Sequence, residues 1–150
     1  MKSQTVSTEE PQLQENQSNV FLDMSNRKNI LIIDDDEHAS KFLHIRLTKL
    51  GFSVTCAADG ATGLEEVVRR VPDLLILDLY LPKLSGEEIC KSIREHDDEK
   101  ITAIPIIMLS AKDKVVDKIV GRVLGANAYV TKPFDFEDLL KEIKFLNLLA

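Results

Sequence analysis

The chain has 150 residues, 44% of them hydrophobic, and a formal net charge of −6 at pH 7. This size allows one domain with a buried core, and the acidic balance argues against nucleic acid as a direct partner, because a basic surplus is needed to neutralise phosphates. The sequence contains neither an apolar run long enough to cross a membrane nor an amino-terminal secretory signal, so we expect a cytoplasmic protein without membrane contact.

The two cysteines, Cys56 and Cys90, lie among apolar residues without the spacing of a metal site or a redox pair. Disulfides are rare in the reducing cytoplasm, and free cysteines are among the most buried residue types. We therefore expect both to be buried free thiols.

The first 28 residues are rich in Gln, Ser, Thr, Asn and Glu and poor in apolar side chains. Such a segment buries too little surface to offset the entropy of ordering it. We expect a flexible tail over residues 1–28, in which Val20–Met24 is either a loose linker or a contact with the domain or a partner. Residues 29–150 are expected to form the folded domain.

From Asn29 onward, short apolar segments alternate with amphipathic ones. The apolar segments predict five strands, at residues 29–34, 52–57, 74–78, 104–110 and 127–132. The amphipathic segments predict five helices, at residues 37–50, 58–70, 86–96, 114–125 and 136–150. The predicted N-caps are Asp36, Asp59 and Asp135, and the glycines expected to end helices are Gly51 and Gly125.

Regular alternation of strand and helix implies parallel strands joined by right-handed crossovers, with helices on both faces. The strands are almost continuously apolar, which is typical of strands buried on both faces. The sequence therefore predicts an α/β fold with a doubly wound, five-stranded parallel sheet of flavodoxin-like order 2-1-3-4-5. The glycine-rich fingerprints of dinucleotide and P-loop sites are missing, which disfavours a nucleotide-binding version of this architecture.

Polar residues stand at the carboxyl ends of four strands that are neighbours in this order. A single Asp in such a place is explained by a strand that reaches solvent. Several polar residues at the sheet edge where ligands bind in such folds indicate a site instead. The residues are, in chain order, Asp34, Asp35, Asp36, Asp78, Ser110 and Lys132.

Clustered carboxylates repel one another: two unit charges about 5 Å apart at an effective dielectric constant of about 20 cost roughly 3 kcal/mol. Either one carboxyl stays protonated or a hard cation such as Mg²⁺ offsets the charge together with Lys132, and we favour the cation. These groups together are suited to phosphoryl transfer. Asp78 is then the nucleophile that forms an aspartyl-phosphate, while Lys132 neutralises phosphoryl charge and Ser110 donates a hydrogen bond.

Four sequence blocks resemble, in order and spacing, the receiver domain of two-component response regulators: ILIIDDDEHA, LLILDLYLPKLSG, IPIIMLSA and GANAYVTKPF. The resemblance runs from about Asn29 to the carboxyl terminus. It implies that Asp78 is the phosphoacceptor and that Mg²⁺ is held by Asp34, Asp35, Asp78 and the backbone carbonyl of Tyr80. It further implies a cis Lys132–Pro133 bond and three more functional residues: the site lysine Lys132, the switch hydroxyl of Ser110 and the switch aromatic Tyr129.

The run of three aspartates leaves two registries for the metal-binding pair. We choose Asp34 and Asp35, because the first strand leads directly into them and Asp36 can then cap the next helix. Asp35 and Asp36 are the alternative.

The resemblance implies a signalling switch rather than an enzyme, phosphorylated by a sensor histidine kinase or a histidine phosphotransfer protein. On phosphorylation Ser110 would move toward the new charge and Tyr129 would fill the vacated space, which makes residues 114–149 the output face. That face would serve a downstream protein or a homodimer, and the chain is either a stand-alone receiver or part of a longer regulator. The rival hypotheses are a metal-dependent phosphatase with Asp34 as nucleophile and a phosphorylation-independent interaction module.

Two smaller expectations concern side chains near the site and the carboxyl terminus. Tyr80 and Lys112, each two positions after a site residue, would hinder or redirect the attacking water and so change the lifetime of the phosphoryl group. Phe145 and Leu148 lie off the apolar stripe of the last helix, and indicate either a contact face or a frayed end.

Overall fold

Five strands form the centre of the protein, whose computed structural model describes residues 26–111 and 125–148. They are β1 (Asn29–Ile33), β2 (Ser53–Ala57), β3 (Leu74–Asp78), β4 (Ile106–Ala111) and β5 (Ala128–Lys132). All of them pair in parallel, in the order β2-β1-β3-β4-β5. The predicted fold class, strand order and five strands are therefore confirmed.

The three inner strands are buried on both faces, as their apolar sequences predict. The apolar residues of β1, β3 and β4, apart from the terminal Ala111, are at most 1% exposed. Ile76 of β3 lies between Ile32 of β1 and Ile107 of β4. A slip by one residue would pull polar strand ends into this interior, so the register, and with it the place of Asp78, is fixed by burial.

Helices cover both faces of the sheet: α1 (Glu37–Lys49), α2 (Gly60–Arg70), α3 (Gly86–Arg94), α4 (Glu99–Thr102) and α5 (Phe136–Phe145). One core lies between the sheet and the pair α1 and α5, and includes Leu47 and Leu139. The second core lies on the other face, against α2, α3 and α4, and includes Val67 and Ile93. The sheet is thus doubly wound.

Side-chain caps fix where the helices begin. The Asp36 carboxylate accepts hydrogen bonds from two backbone N–H groups in the first turn of α1, at 3.0 and 3.2 Å. Asp59 caps α2 in the same way, and Asp135 is the N-cap of α5, so the three predicted N-caps are confirmed. Gly51 follows α1 with φ of +100°, a conformation that glycine adopts without a steric cost.

The end of the last helix differs from the prediction. Helix α5 stops at Phe145 instead of running to residue 150, because Asn147 adopts φ of +60° and turns the chain back. The Leu148 N–H then donates to the Ile143 carbonyl at 3.4 Å, and its side chain joins the core. The expectation that Leu148 marks a contact face or a frayed end was therefore wrong, whereas Phe145 is 83% exposed.

Two further sequence predictions need correction. Cys56 is exposed rather than buried, because β2 lies at the edge of the sheet, while Cys90 is a buried free thiol as expected. The short helix α4 was not predicted, since its four residues are too few to show an apolar period.

Several predictions lie outside the described residues. These are the tail except for residues 26–28, the helix at 114–125 except for its last residue, and Lys112. Within the two described ranges, no helix has the length and apolar character to span a bilayer.

The burial of β3 predicts a large difference between two identical substitutions. Ile76 is fully buried, whereas Ile45 on α1 is 44% exposed. Ile76→Ala is expected to lower the free energy of unfolding by about 3 kcal/mol through the cavity it leaves, and Ile45→Ala by less than about 0.5 kcal/mol. Urea unfolding measures both, and equal losses would contradict the burial described for β3.

Candidate functional site

The candidate site is built where β1, β3, β4 and β5 end. Asp34 directly follows β1, Asp78 is the last residue of β3 and Lys132 is the last residue of β5, while Ser110 lies one residue before the end of β4. The register pairs Asp78 with Leu109, the neighbour of Ser110, and Lys132 with Ala111. Four separate strand ends therefore bring these residues to the same edge of the sheet.

Asp34 is held in place by the backbone on both sides of it. Its N–H donates to the Ala57 carbonyl at 3.1 Å, which continues the ladder between β1 and β2. Its carboxylate Oδ1 accepts the N–H of Asp36 at 3.0 Å. The Asp34 side chain is fully buried.

Backbone contacts also fix the position of Asp78. Its Oδ1 accepts the N–H of Tyr80 at 3.1 Å, so the carboxylate is oriented by its own chain two residues later. The start of α3 packs against its backbone, since a Cβ at Gly86 would lie 2.4 Å from the Asp78 carbonyl oxygen. Only glycine allows this approach, and the Gly86 N–H donates to the Leu79 carbonyl at 3.0 Å.

Lys132 joins the two carboxylates. Its Nζ donates to Asp34 Oδ2 at 2.7 Å and to Asp78 Oδ2 at 3.2 Å. Each carboxylate thus uses one oxygen for the ammonium group and the other for a backbone N–H. The bond from Lys132 to Pro133 is cis, as the resemblance implied.

The site carries more negative charge than Lys132 can neutralise. Burial raises the pKa of the Asp78 carboxyl to about 6, with Lys132 lowering it and Asp34 raising it again. Burial also acts on Lys132 and opposes its charge, but the hydrogen bond to Asp34 and the charges of Asp78 and Asp34 outweigh it, so the pKa of Lys132 is raised. The site therefore favours binding of further positive charge.

The acidic residues fit a magnesium ion. One carboxylate oxygen from each of Asp34, Asp35 and Asp78 lies within 4.8 Å of the others. Hard oxygen ligands of this kind suit Mg²⁺, which commonly takes one or two carboxylates and completes its shell with water and phosphate oxygens. The Asp36 carboxylate is engaged in capping α1, which favours the Asp34–Asp35 registry over the alternative.

Ser110 and Tyr129 lie on β4 and β5, two of the strands that end at these charged groups. The Ser110 hydroxyl is buried and donates to the Ala111 carbonyl at 3.4 Å. Tyr129 pairs with Met108 and packs against the core under α2 and α3. A change at the strand ends could therefore reach each residue along its own strand, β4 for Ser110 and β5 for Tyr129.

A cavity of about 530 Å³ opens beside Asp78 and Lys132. Its wall includes the exposed ring of Tyr80 and two aromatic residues that sequence patterns did not indicate, Phe42 and Phe134. Phe42 lies on α1 and is 45% exposed. Phe134 ends the block GANAYVTKPF, which by itself gives the ring no role. For Phe42 the sequence offers only its place within ten positions of a site residue, which is too common to be diagnostic.

A doubly wound α/β domain with a lysine-bridged acidic cluster at its strand ends is the class of protein that this geometry defines. The chain belongs to the response regulator receiver domain family, whose sequence profile matches residues 30–144. The resemblance stated from the sequence is thereby confirmed. Members of this family act in two-component signalling as phosphoacceptors rather than as enzymes in the ordinary sense, and bind Mg²⁺ at an acidic pocket.

Individual relatives agree with this assignment. The response regulator ArlR of Staphylococcus epidermidis is 40% identical over 77% of this chain, and the DNA-binding dual master transcriptional regulator RpaA of Synechocystis is 44% identical over 78%. The chain spans 51% and 48% of those two proteins, about half of each.

Solved structures show the same fold. A response regulator from Chloroflexus aurantiacus superposes with a TM-score of 0.75 at 36% identity, covering 83% of this chain and 99% of that one. The receiver domain of the sensor histidine kinase PA1611 from Pseudomonas aeruginosa, with a magnesium ion in its active site cleft, gives 0.71 at 28% identity, covering 81% and 98%.

The raised pKa of Asp78 predicts a pH-dependent stability in the presence of a chelator. The pKa is about 6 in the folded protein against an ordinary value of 3.8. The folded protein therefore binds the Asp78 proton more tightly than the unfolded chain does, and this proton contributes to the free energy of unfolding. That contribution is fully present below pH 3.8 and is lost as the pH rises through 6. Asp78→Asn abolishes this loss, so near neutral pH the variant should be more stable than the wild type by about 2 kcal/mol.

Urea unfolding at about pH 4.5 and about pH 7.5 measures this difference. Asp97→Asn, an exposed position outside the site, serves as the control and should follow the wild type. Identical pH profiles for Asp78→Asn and the wild type would show that burial does not perturb Asp78.

Proposed function

We propose that this protein is a phosphoaspartate switch that accepts a phosphoryl group on Asp78 from a sensor histidine kinase or a histidine phosphotransfer protein. The observation that carries this proposal is the Lys132 ammonium group shared between Asp34 and Asp78, at 2.7 and 3.2 Å. This arrangement holds one carboxylate rigidly while it supplies a cation for the phosphoryl oxygens.

Accessibility distinguishes the two bridged carboxylates. The Asp78 side chain retains 10% of its surface and borders the cavity, whereas the Asp34 side chain retains none. A nucleophile must reach its donor in line with the leaving group, so Asp78 is the acceptor and Asp34 a supporting residue. The same comparison disfavours the phosphatase hypothesis, in which Asp34 is the nucleophile.

The transfer needs little beyond positioning and charge. An oxygen of the ionised Asp78 carboxylate forms a bond to phosphorus while the bond from phosphorus to the donor's imidazole nitrogen breaks, and the imidazole leaves with that electron pair. Lys132 then donates to a phosphoryl oxygen in place of the carboxylate it has held. Asp34, Asp35, Asp78 and the Tyr80 carbonyl would hold Mg²⁺, which would supply two further positive charges for these oxygens.

The response to phosphorylation is proposed to run along β4 and β5. Ser110 is one residue beyond the partner of Asp78, so a short movement brings its hydroxyl to a phosphoryl oxygen. Tyr129 then repacks into the space beside β4. The output face would comprise β5, α5 and the predicted helix at 114–125, through residue 149.

The partners follow from this role. Upstream is the phosphohistidine donor, and downstream is either a protein partner, an output domain of a longer chain or a second copy bound through the output face. RpaA is named as DNA-binding. We do not propose that the present chain contacts nucleic acid, because its net charge is −6. We place the switch in the cytoplasm, where its free thiols stay reduced.

Acetyl phosphate tests the acceptor directly. With Mg²⁺ present, the protein is expected to gain one phosphoryl group, stable in acid and labile in base, which intact mass measurement detects. Asp78→Asn should gain none, because the amide is not a nucleophile for phosphorus, and Asp97→Asn should match the wild type. Removal of Mg²⁺ by a chelator should abolish the adduct.

The outcomes separate the rival functions. An adduct that persists in Asp78→Asn but is lost in Asp34→Ala would make Asp34 the nucleophile and the protein a phosphatase. A wild-type protein that gains no adduct from any phosphodonor would be an interaction module.

Tyr80 provides a test of the phosphoryl lifetime. Its ring is 53% exposed at the wall of the cavity beside Asp78, where it hinders the approach of water to the phosphoryl group. Tyr80→Asn removes the ring and is expected to speed dephosphorylation by about three- to tenfold, a change of about 1 kcal/mol in the barrier. The decay of the intact-mass adduct after removal of acetyl phosphate gives the rate, and an unchanged rate would remove the ring from this role.

A further inference from the structure

Arg94 makes an unusually complete set of hydrogen bonds at the sheet edge opposite the phosphorylation site. As the last residue of α3, it donates from Nε to the Gly125 carbonyl at 2.9 Å. Its Nη1 donates to the carbonyls of Thr102 and Ile104, both at 2.8 Å. Its Nη2 donates to Asn127 Oδ1 at 3.0 Å.

Asn127 carries this network into the sheet. The same Oδ1 atom accepts the N–H of Ile106 at 2.8 Å, and the Asn127 N–H donates to the Ile106 carbonyl at 2.8 Å. Arg94 is therefore linked to the first residue of β4 and to the residue that precedes β5. We call this set, which consists of Arg94, Asn127 and the carbonyls of Thr102, Ile104 and Gly125, the Arg94 clamp.

The clamp is built for a guanidinium group. Its acceptors lie on three sides of a planar, permanently charged fork, which an ammonium group cannot match. The fit is close at Gly125, where an added Cβ would come within 3.0 Å of the Arg94 side chain, and Gly125 has φ of +100°. Substitution of either residue would therefore disturb the other.

The position of the clamp matters because of what β4 and β5 carry. The residues assigned to the response, Ser110, Tyr129 and Lys132, all lie on these two strands. Strand β5 is at the sheet edge and has β4 as its only neighbour in the described sheet, so one ladder of hydrogen bonds joins it to the other strands. Tyr129 is two residues from the clamp at Asn127 and three from Lys132.

We propose that Arg94 is a positioning residue of the phosphorylation switch, which fixes the amino-terminal ends of β4 and β5 so that a change at their carboxyl ends is converted into repacking of Tyr129. The inference rests on the proposed function. With its first residues held, β5 cannot move along its axis by the about 3.3 Å that separates neighbouring residues. The response to a charge change at Lys132 is then confined to side chains.

The chain contains two tyrosines, which makes 3-fluorotyrosine a sharp probe for ¹⁹F NMR. A Tyr80→Phe sample assigns the two signals. In the wild type, the Tyr129 signal should shift on addition of acetyl phosphate and Mg²⁺. In Arg94→Met, which keeps the aliphatic stem but no donor, Asp78 should still gain the phosphoryl group while the shift falls below about half of the wild-type value.

Two controls separate positioning from stability. Asn127→Asp keeps the acceptor oxygen and should keep the shift. Leu47→Ala, a variant of α1 in the core on the other face of the sheet from Tyr129, should also keep it despite its lower free energy of unfolding. A full Tyr129 shift in a fully phosphorylated Arg94→Met protein would overturn the proposal. If Arg94→Met does not fold, Asn127→Ala, which removes only the side-chain acceptor, takes its place with the same expected outcome.

Amide hydrogen exchange tests the clamp without phosphorylation, so that a failure of the proposed function is distinguishable from a failure of this inference. In unphosphorylated Arg94→Met, the amides of Ile106 and of β5 should exchange at least about tenfold faster, while those of β1 and β3 keep their protection. Equal acceleration in all five strands would show that Arg94 contributes only to overall stability, and would overturn the proposal.

Discussion

The site depends on one interaction, the bridge that the Lys132 ammonium group forms between the carboxylates of Asp34 and Asp78. Two ionised carboxylates that share one buried ammonium group repel each other, and the cation offsets this repulsion. The strand order makes the contact available, because β1, β3, β4 and β5 are consecutive neighbours and all end at the same edge. The buried apolar strands fix the register, and the register fixes the distances of 2.7 and 3.2 Å at their ends.

This bridge leaves the charge incompletely balanced, and the imbalance is useful. One lysine faces the carboxylates of Asp34, Asp35 and Asp78, and burial raises the pKa of Asp78 to about 6. A site with fully balanced charges would be more stable, but would not attract the divalent cation that members of this family bind. Proteins commonly retain such local destabilisation where function requires it.

Sequence patterns predicted the parts of this structure that depend on the spacing of apolar residues and on the residues at strand and helix ends. Continuous apolar runs gave the five strands, and the residues after those runs gave Asp34, Asp78 and Lys132. The missed features depend on tertiary geometry. Leu148 is buried because Asn147 turns the chain back, Cys56 is exposed because β2 is an edge strand, and Phe42 faces a cavity that no periodicity reveals. Arg94 was missed because its partners are mainly backbone carbonyls, which leave no trace in a sequence.

The two ends of β5 differ in the kind of partner that their cations have. At the carboxyl end, Lys132 bonds to two carboxylates, whose surroundings gain charge on metal binding and phosphorylation in the proposed switch. At the amino end, Arg94 bonds to neutral carbonyl and amide oxygens, whose hydrogen-bonding capacity none of these events alters. A strand held in this way has one responsive end and one constant end. In the proposed switch, the constant end is the fixed part of the strand against which a displacement at Lys132 acts on Tyr129, which lies between the two ends.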